Sequence, residues 1–287
     1  MTRPDPRAVL TRAAAPPDTV LRYAPGEDGV VDLRAPRRPD GGLLTDAGAP
    51  LVIVLHGGFW RSGYDRVSAG VGPLAAALAG HGFAVATPEY RRVGQPGGGW
   101  PGTFDDVARA VDAVPALAAA ELGAAVDPAR VLLLGHSAGG HLAAWYASRP
   151  NLPAGSPWFT DAPLPVRGVV SLAGVLDLRL AAALQLGDGA TQALLGGEPV
   201  EEPDRYAAAD PSSLTPPAVP IALLHGEDDV QVPVGLSRAY ERAARADGGD
   251  ARLTVLPGIE HFGLVDPASG AWPSVCSTIE SLLNVDQ

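Results

Sequence analysis

The sequence has little that would indicate a disulfide, a metal site or a membrane segment. Its 287 residues include a single cysteine, Cys276, so no disulfide can form within the chain. Neither a CxxC motif nor a histidine-rich spacing typical of a metal site is present, so we expect no bound metal. No apolar run is long enough for a membrane helix, and none in the first twenty residues suits a signal peptide. We therefore expect a cytoplasmic protein that does not associate with membranes, with leaderless export as the alternative.

Positive charge is also scarce, and lysine is missing altogether. All 21 basic residues are arginine, against 32 acidic residues, which gives a net charge of −11. The phosphate backbone of a nucleic acid would be repelled by this charge, so we do not expect a nucleic-acid partner. Hydrophobic residues make up 46% of the chain, and its length is near the upper limit for a single core. We expect one folded domain, as a monomer or homodimer.

Short apolar runs recur along the chain and alternate with helical patterns. Residues 20–23 and 30–33 are β-like runs separated by Pro-Gly and Asp-Gly turns, which predicts an antiparallel pair. Six further runs are typical of strands buried on both faces: 51–55, 83–86, 131–134, 169–172, 221–224 and 253–256. Because helix-like segments lie between most of them, we predict an α/β fold with a mostly parallel central sheet of about eight strands flanked by helices.

Four segments depart from this pattern. Residues 1–19 are rich in proline, arginine and alanine, which predicts a loosely ordered extension before a single domain at 20–287. Pro115 should kink or shorten the helix in which it lies. Residues 94–102 form a glycine-rich loop that carries Trp100. Residues 176–217 form an insertion between two strands, which is either a lid or a surface excursion without a role in the site.

The strand at 131–134 is followed by Gly-His-Ser-Ala-Gly, which matches G-x-S-x-G. In this motif a serine sits on a tight turn between a strand and a helix. The turn leaves no room for a side chain at Gly135 or Gly139, and it directs the hydroxyl of Ser137 outward. The start of the next helix favours negative charge developing beside the serine. We therefore predict that Ser137 is the nucleophile of a serine hydrolase, and the alternative is an incidental serine in a glycine-rich turn.

A second glycine-rich motif, His-Gly-Gly-Phe-Trp, follows the buried strand at 51–55. Acyl transfer develops negative charge on the former carbonyl oxygen, which backbone N–H groups stabilise. The candidate donors are Gly58 and Phe59, together with Ala138 just after the nucleophile. Which of the two loop N–H groups points inward is left open by the sequence. We expect a structural role for His56, which sits at the strand end.

The acid and the base of a triad should follow the serine in the order Asp or Glu, then His. Asp229 lies in the motif H-G-x-x-D-x-x-V-P after the strand at 221–224, and His261 lies in a loop after the last strand. Asp228 and Asp177 are the alternative acids. His261 would take the proton of Ser137 and pass it to the leaving group, with no cofactor required. Trp60, Trp100 and His136 are candidate residues of the substrate pocket.

Four motifs together resemble the α/β-hydrolase superfamily, and more narrowly the branch of kynurenine formamidases (arylformamidases) and their esterase relatives. They are HGGFWRSG at 56–63, GHSAGGHLAA at 135–144, AGVLDL at 173–178 and EHF at 260–262. The resemblance implies an α/β-hydrolase fold, a small ester or aryl formamide as substrate, and a triad on Ser137, Asp229 and His261. A dedicated N-formylkynurenine formamidase is one alternative. A non-catalytic binding protein on a hydrolase scaffold is another, although no member of the triad is missing.

Overall fold

The computed structural model describes residue 5 and residues 7–284. Within these residues the chain forms eight strands in one sheet, with helices on both faces. The strands are β1 Thr19–Arg22, β2 Val30–Arg34, β3 Ala49–Leu55, β4 Ala84–Pro88, β5 Val126–His136, β6 Val166–Leu172, β7 Ile221–Gly226 and β8 Ala251–Leu256. The helices are α1 Ala8–Thr11, α2 Val71–Gly80, α3 Gly102–Leu122, α4 Ala138–Ala147, α5 Leu178–Ala183, α6 Ala190–Leu195, α7 Pro203–Ala209, α8 Gly235–Ala246 and α9 Trp272–Leu283.

The sheet is parallel except at one edge. Its strand order is β1-β2-β4-β3-β5-β6-β7-β8. Strand β2 pairs antiparallel with both β1 and β4, and the remaining neighbours pair in parallel. Each of the eight strands predicted from the apolar runs is present, and the expected antiparallel pair of the first two is confirmed.

Side chains of the central strands point alternately to the two faces of the sheet, and this divides the core into two layers. In β3, Leu51, Ile53 and Leu55 face the layer that contains α3, α4 and α8. Val52 and Val54 face the opposite layer, which contains α2 and α9. Because successive side chains of a strand point to opposite faces, a continuous apolar run is what a strand covered on both sides requires. The result is a sandwich of helices, sheet and helices.

Two expectations drawn from local sequence differ from the structure. Helix α3 runs through Pro115 and extends over 21 residues, so the proline does not shorten it. Pro115 is buried with the apolar face of α3. We infer that packing against the sheet outweighs the backbone hydrogen bond that a proline cannot donate.

The N-terminal segment is the second difference. In place of a loosely ordered extension, the described part of residues 1–19 contains α1, and β1 already begins at Thr19. The side chain of Val9 is fully buried in the layer with α2 and α9. This short segment therefore packs onto the domain through its apolar side chain at Val9. Residues 1–4 and 6 lie outside the described part.

Residues 176–217 lie between β6 and β7 and contain α5, α6 and α7. Their buried side chains belong to the same layer as α3 and α4. The insertion therefore packs onto the domain on the face that carries the helix after Ser137.

Candidate active site

The candidate catalytic residues follow the carboxyl ends of parallel strands. Ser137 follows β5, Asp229 follows β7 by a short turn, and His261 comes after β8. The His-Gly-Gly loop follows β3, which is the neighbour of β5 in the sheet. Since parallel strands end at the same edge, the topology brings these four segments together, and this edge is where open α/β sheets bind their ligands.

Ser137 sits on a strained turn between β5 and α4. Its backbone has φ 55° and ψ −118°, a conformation that L-residues rarely adopt. A Cβ atom at Gly135 would lie 2.1 Å from the carbonyl oxygen of Gly139, and one at Gly139 would lie 2.0 Å from that of Leu55. Both glycines of the motif are therefore required by close backbone contacts. The strain is retained at a residue that lines a cavity, as expected for a functional turn.

Asp229 and His261 form a short hydrogen bond. The Nδ1 atom of His261 lies 2.6 Å from Oδ2 of Asp229, and both side chains are almost completely buried. The other carboxylate oxygen, Oδ1, accepts the backbone N–H groups of Gln231 and Val232, each at 2.9 Å. These three hydrogen bonds fix the carboxylate plane. They also hold the Nδ1–H tautomer of His261, which leaves Nε2 with a free lone pair.

The environment of Asp229 favours its charged form. Burial alone would raise the pKa of this carboxyl group. Hydrogen bonds from His225 and His261 and the backbone N–H of Val232 outweigh burial and hold the pKa well below its usual range. Asp229 is therefore a carboxylate across the neutral and mildly acidic range.

Two further histidines contact the turns that carry Asp229 and His261. The Nδ1 atom of His225 lies 2.8 Å from the hydroxyl of Ser237, and its Nε2 atom lies 2.8 Å from the carbonyl oxygen of Val232. These two contacts anchor the turn that carries Asp229. The Nε2–H of His136 donates to the carbonyl oxygen of His261 at 3.1 Å. Burial, and secondarily the nearby His261, lowers the pKa of His136 to about 3, so this ring is neutral.

The alternative acids have other surroundings. Asp177 caps the start of α5, where its Oδ1 accepts the backbone N–H of Leu180 at 2.8 Å. Asp228 is exposed. Asp229 is thus the candidate acid whose carboxylate reaches His261.

The glycine loop after β3 has an unusual backbone. Gly58, Phe59 and Trp60 all have positive φ, at 109°, 49° and 55°. Below the loop, His56 is fully buried and its Nε2 lies 2.8 Å from a carboxylate oxygen of Glu89, which agrees with the structural role expected for it. A Cβ atom at Gly58 would lie 2.3 Å from Cβ of Tyr64.

Backbone donors remain available beside Ser137. Among the described residues, the structure gives no hydrogen-bond acceptor to the backbone N–H groups of Gly58, Phe59 and Ala138. Ala138 is the first residue of α4, and the first N–H groups of a helix have no partner within it. A Cβ atom at Gly57 would lie 3.2 Å from Cβ of Ser137, so the loop passes directly over the serine.

Ser137 and His261 line the same small cavity. Its volume is about 50 Å³, and its walls are Leu10, Gly58, Phe59, Tyr64, Ala69, His136, Ser137, Gln231, His261 and Phe262. At this volume the cavity has space for a small group only. His136, predicted as a pocket residue, lies in this wall, and so does Phe59, predicted as an oxyanion donor. Leu10 and Tyr64 belong to no motif and were not predicted.

Two aromatic residues predicted to line the pocket lie elsewhere. Trp60 is buried, and its Nε1–H donates to Nδ1 of His141 at 3.2 Å. Trp100 packs edge-on against two aromatic rings. The centroid of its ring lies 5.3 Å from that of Phe104 and 4.8 Å from that of Trp158. Neither tryptophan is among the residues that line the cavity at Ser137. Trp60 belongs to the buried core, and the half-buried Trp100 packs against that core.

The insertion between β6 and β7 touches the glycine loop. A Cβ atom at Gly187 would lie 2.7 Å from the ring of Phe59, and Arg61 donates to the carbonyl oxygen of Asp188 at 3.0 Å. The backbone of the insertion thus supports one wall of the cavity from outside.

In the part of the chain that the structure describes, no helix has the length and apolar character needed to cross a membrane.

Comparisons with known proteins agree with this architecture. Esterase LipQ of Mycobacterium tuberculosis is 32% identical over 247 residues, which cover 84% of this chain and 56% of the relative. The probable carboxylic ester hydrolase LipM of the same organism is 34% identical over 248 residues, with 83% and 55% covered. The chain therefore spans little more than half the length of these two relatives.

A solved structure and a family model complete the comparison. A truncated carbohydrate esterase from gut microbiota superimposes with a TM-score of 0.74 at 20% identity, covering 94% of this chain and 99% of that one. This likeness confirms the predicted α/β-hydrolase fold. The family model BD-FAE matches residues 44–243, which is more than half of the chain and includes Ser137 and Asp229. On these grounds the chain is a member of the BD-FAE family.

Proposed function

We propose that this protein is a serine hydrolase that cleaves esters of small carboxylic acids through an acyl-enzyme. The observation that carries the proposal is the hydrogen bond of 2.6 Å between Asp229 and His261, next to a cavity that His261 shares with Ser137 on its strained turn. The esterase names of LipQ and LipM support the same class of reaction.

The first half of the reaction forms the acyl-enzyme. His261 accepts the proton of Ser137 at Nε2, and the Ser137 oxygen attacks the ester carbonyl carbon. The backbone N–H groups of Ala138 and of Gly58 or Phe59 are free to stabilise the oxyanion, each contributing about 3 kcal/mol. The C–O bond of the ester then breaks, and His261 passes its proton to the departing alcohol.

The second half hydrolyses the acyl-enzyme. Water replaces the alcohol, His261 removes a proton from it, and the water oxygen attacks the acyl carbon. The bond between Ser137 and the acyl group then breaks, and His261 returns the proton to the Ser137 oxygen. Asp229 remains a carboxylate throughout. It holds the proton on Nδ1 of His261 and stabilises the imidazolium that forms in each half.

Aryl formamides are a second candidate substrate class. Formyl is the smallest acyl group, so the cavity of about 50 Å³ accepts it as readily as acetyl. A dedicated N-formylkynurenine formamidase would also need a cation for the carboxylate of its substrate. Among the described residues that line the cavity there is no arginine, which favours the broader ester and formamide specificity.

A direct comparison of substrates tests the proposal. The value of kcat/KM is measured for p-nitrophenyl acetate and for N-formyl-L-kynurenine, with Ser137→Ala as the matched control. We expect turnover of the acetate and loss of activity towards both substrates in the variant, with an unchanged melting temperature. Full activity of Ser137→Ala would contradict the mechanism. A strong preference of the wild type for the formamide would select the second candidate.

A further inference from the structure

The N-terminal segment is part of the wall around Ser137. In α1 the side chain of Val9 is fully buried, whereas Leu10 is half-buried and lines the cavity that contains Ser137 and His261. A Cβ atom at Gly70 would lie 3.2 Å from Leu10 and 3.5 Å from Val9, with Val265 close behind at 3.7 Å. Helix α1 is therefore held between the residues that precede α2 and those that follow His261.

An ion pair fastens this segment next to the histidine loop. Both terminal nitrogens of Arg12 donate to the two carboxylate oxygens of Asp266, with 2.9 Å between Nη2 and Oδ2. Asp266 comes five residues after His261 and directly follows Val265. The two-point contact fixes the orientation of the guanidinium group, and with it the end of α1.

A second and much larger cleft is also lined by Leu10. Its volume is about 410 Å³, against about 50 Å³ for the cavity at Ser137. Among the described residues, Leu10 is the one that lines both spaces. Because Leu10 borders both spaces, its side chain is the candidate partition between them.

The cleft is suited to a hydrocarbon chain on one side. Residues 13–17, Gly72 and Pro73 line it with alanine, proline and glycine. The charged groups in its wall are engaged: Arg66 donates to Asp32 at 2.9 Å, Arg12 is bound to Asp266, and Arg34 donates to the carbonyl oxygen of Pro16 at 2.8 Å. An apolar chain could lie along the small residues without separating these pairs.

We propose that Leu10 determines the acyl-chain length that this enzyme accepts, and that the cleft beyond it is a latent site for longer acyl chains. This inference rests on the proposed esterase function. The cavity is assigned to the acyl group because that group stays bound to Ser137 after the alcohol has left for the solvent. With Leu10 in place, the space beside Ser137 is small, at about 50 Å³.

Replacing Leu10 should join the two spaces. In Leu10→Ala an acyl chain can extend past the former partition, and each additional buried methylene group should favour binding about fourfold. The ratio of kcat/KM for p-nitrophenyl octanoate to that for p-nitrophenyl acetate should therefore rise by at least about tenfold. Leu10→Trp should lower the same ratio, since it thickens the partition.

The experiment measures this ratio for the wild type, both Leu10 variants and Leu43→Ala, a control at a half-exposed leucine that lines neither space. A second series keeps the acetyl group and varies the alcohol, and there we expect no change in any variant. Two variants with opposite expected effects keep the test decisive if one folds poorly.

Each outcome decides a different point. An active Leu10→Ala variant with the wild-type chain-length preference would overturn the inference and leave the proposed function intact. A change confined to the alcohol series would show that Leu10 borders the leaving group instead, which also contradicts the inference. A wild-type enzyme inactive on every ester would refute the proposed function itself.

Discussion

Replacing Asp229 with asparagine should inactivate the enzyme through the tautomer of His261. In the wild type, Oδ1 of Asp229 accepts two backbone N–H groups and Oδ2 accepts Nδ1–H of His261. The two backbone donors require an oxygen, so the asparagine carbonyl must take the Oδ1 position. Its NH₂ group then faces Nδ1 of His261 as a donor.

The magnitude follows from this reversal. His261 must offer the lone pair of Nδ1 to the amide, which moves its proton to Nε2, the atom that has to accept the proton of Ser137. A triad with this wrong tautomer loses about 10⁴ in kcat. That loss corresponds to about 5.4 kcal/mol of transition-state stabilisation. Because side-chain volume is nearly unchanged, we expect the fold to persist.

The assay is kcat and KM for p-nitrophenyl acetate, with Asp177→Asn as the matched control. Asp177 caps α5, and asparagine caps a helix about as well as aspartate does, so this variant should keep wild-type activity and stability. An Asp229→Asn enzyme within tenfold of the wild type would refute the tautomer argument. A large loss of activity in Asp177→Asn would reopen the choice of the catalytic acid.

Two further predictions concern stability. Gly135→Ala places a Cβ atom 2.1 Å from the carbonyl oxygen of Gly139 and should lower the free energy of unfolding by about 3 kcal/mol or more, measured by urea unfolding. The control Gly155→Ala, whose Cβ would have no atom within 4 Å, should change it by less than about 0.5 kcal/mol. Equal stability of the two variants would contradict the tight turn. Burial lowers the pKa of His141 from 6.5 to about 4, so the unfolded chain takes up its proton first as the pH falls. The contribution of His141 to the free energy of unfolding should therefore be fully present above about pH 6.5 and fall by about 1.4 kcal/mol per pH unit towards pH 4. His141→Gln should remove this contribution to the pH dependence, measured by thermal melts at several pH values. An unchanged pH dependence would refute the prediction.

The sequence predicts the sheet well because burial on both faces leaves a direct trace in the chain. Strands such as β3 and β7 need apolar side chains in both directions, and few other elements produce so short a continuous run. The turn at Ser137 is equally visible, because only glycine fits at Gly135 and Gly139. In both cases the constraint acts on consecutive residues.

The sequence fails where the deciding contact is distant along the chain. Nothing near Pro115 indicates that packing against the sheet maintains α3 through the proline. Trp60 and Trp100 are predicted as pocket residues, although the side chains they pack against, among them His141 and Trp158, come from other segments. Leu10 was missed altogether, because its place beside Ser137 depends on Gly70 and on the residues after His261.

The central claim is that an acyl group is carried on Ser137, and trapping that species tests it most directly. The enzyme is mixed with p-nitrophenyl acetate, quenched in acid within the first turnover, and digested for peptide mass spectrometry. We predict an acetyl group on Ser137, in an amount equal to the burst of p-nitrophenol, and none in Ser137→Ala. Steady ester turnover with Ser137 unmodified at every quench time, or an equal burst from Ser137→Ala, would contradict it.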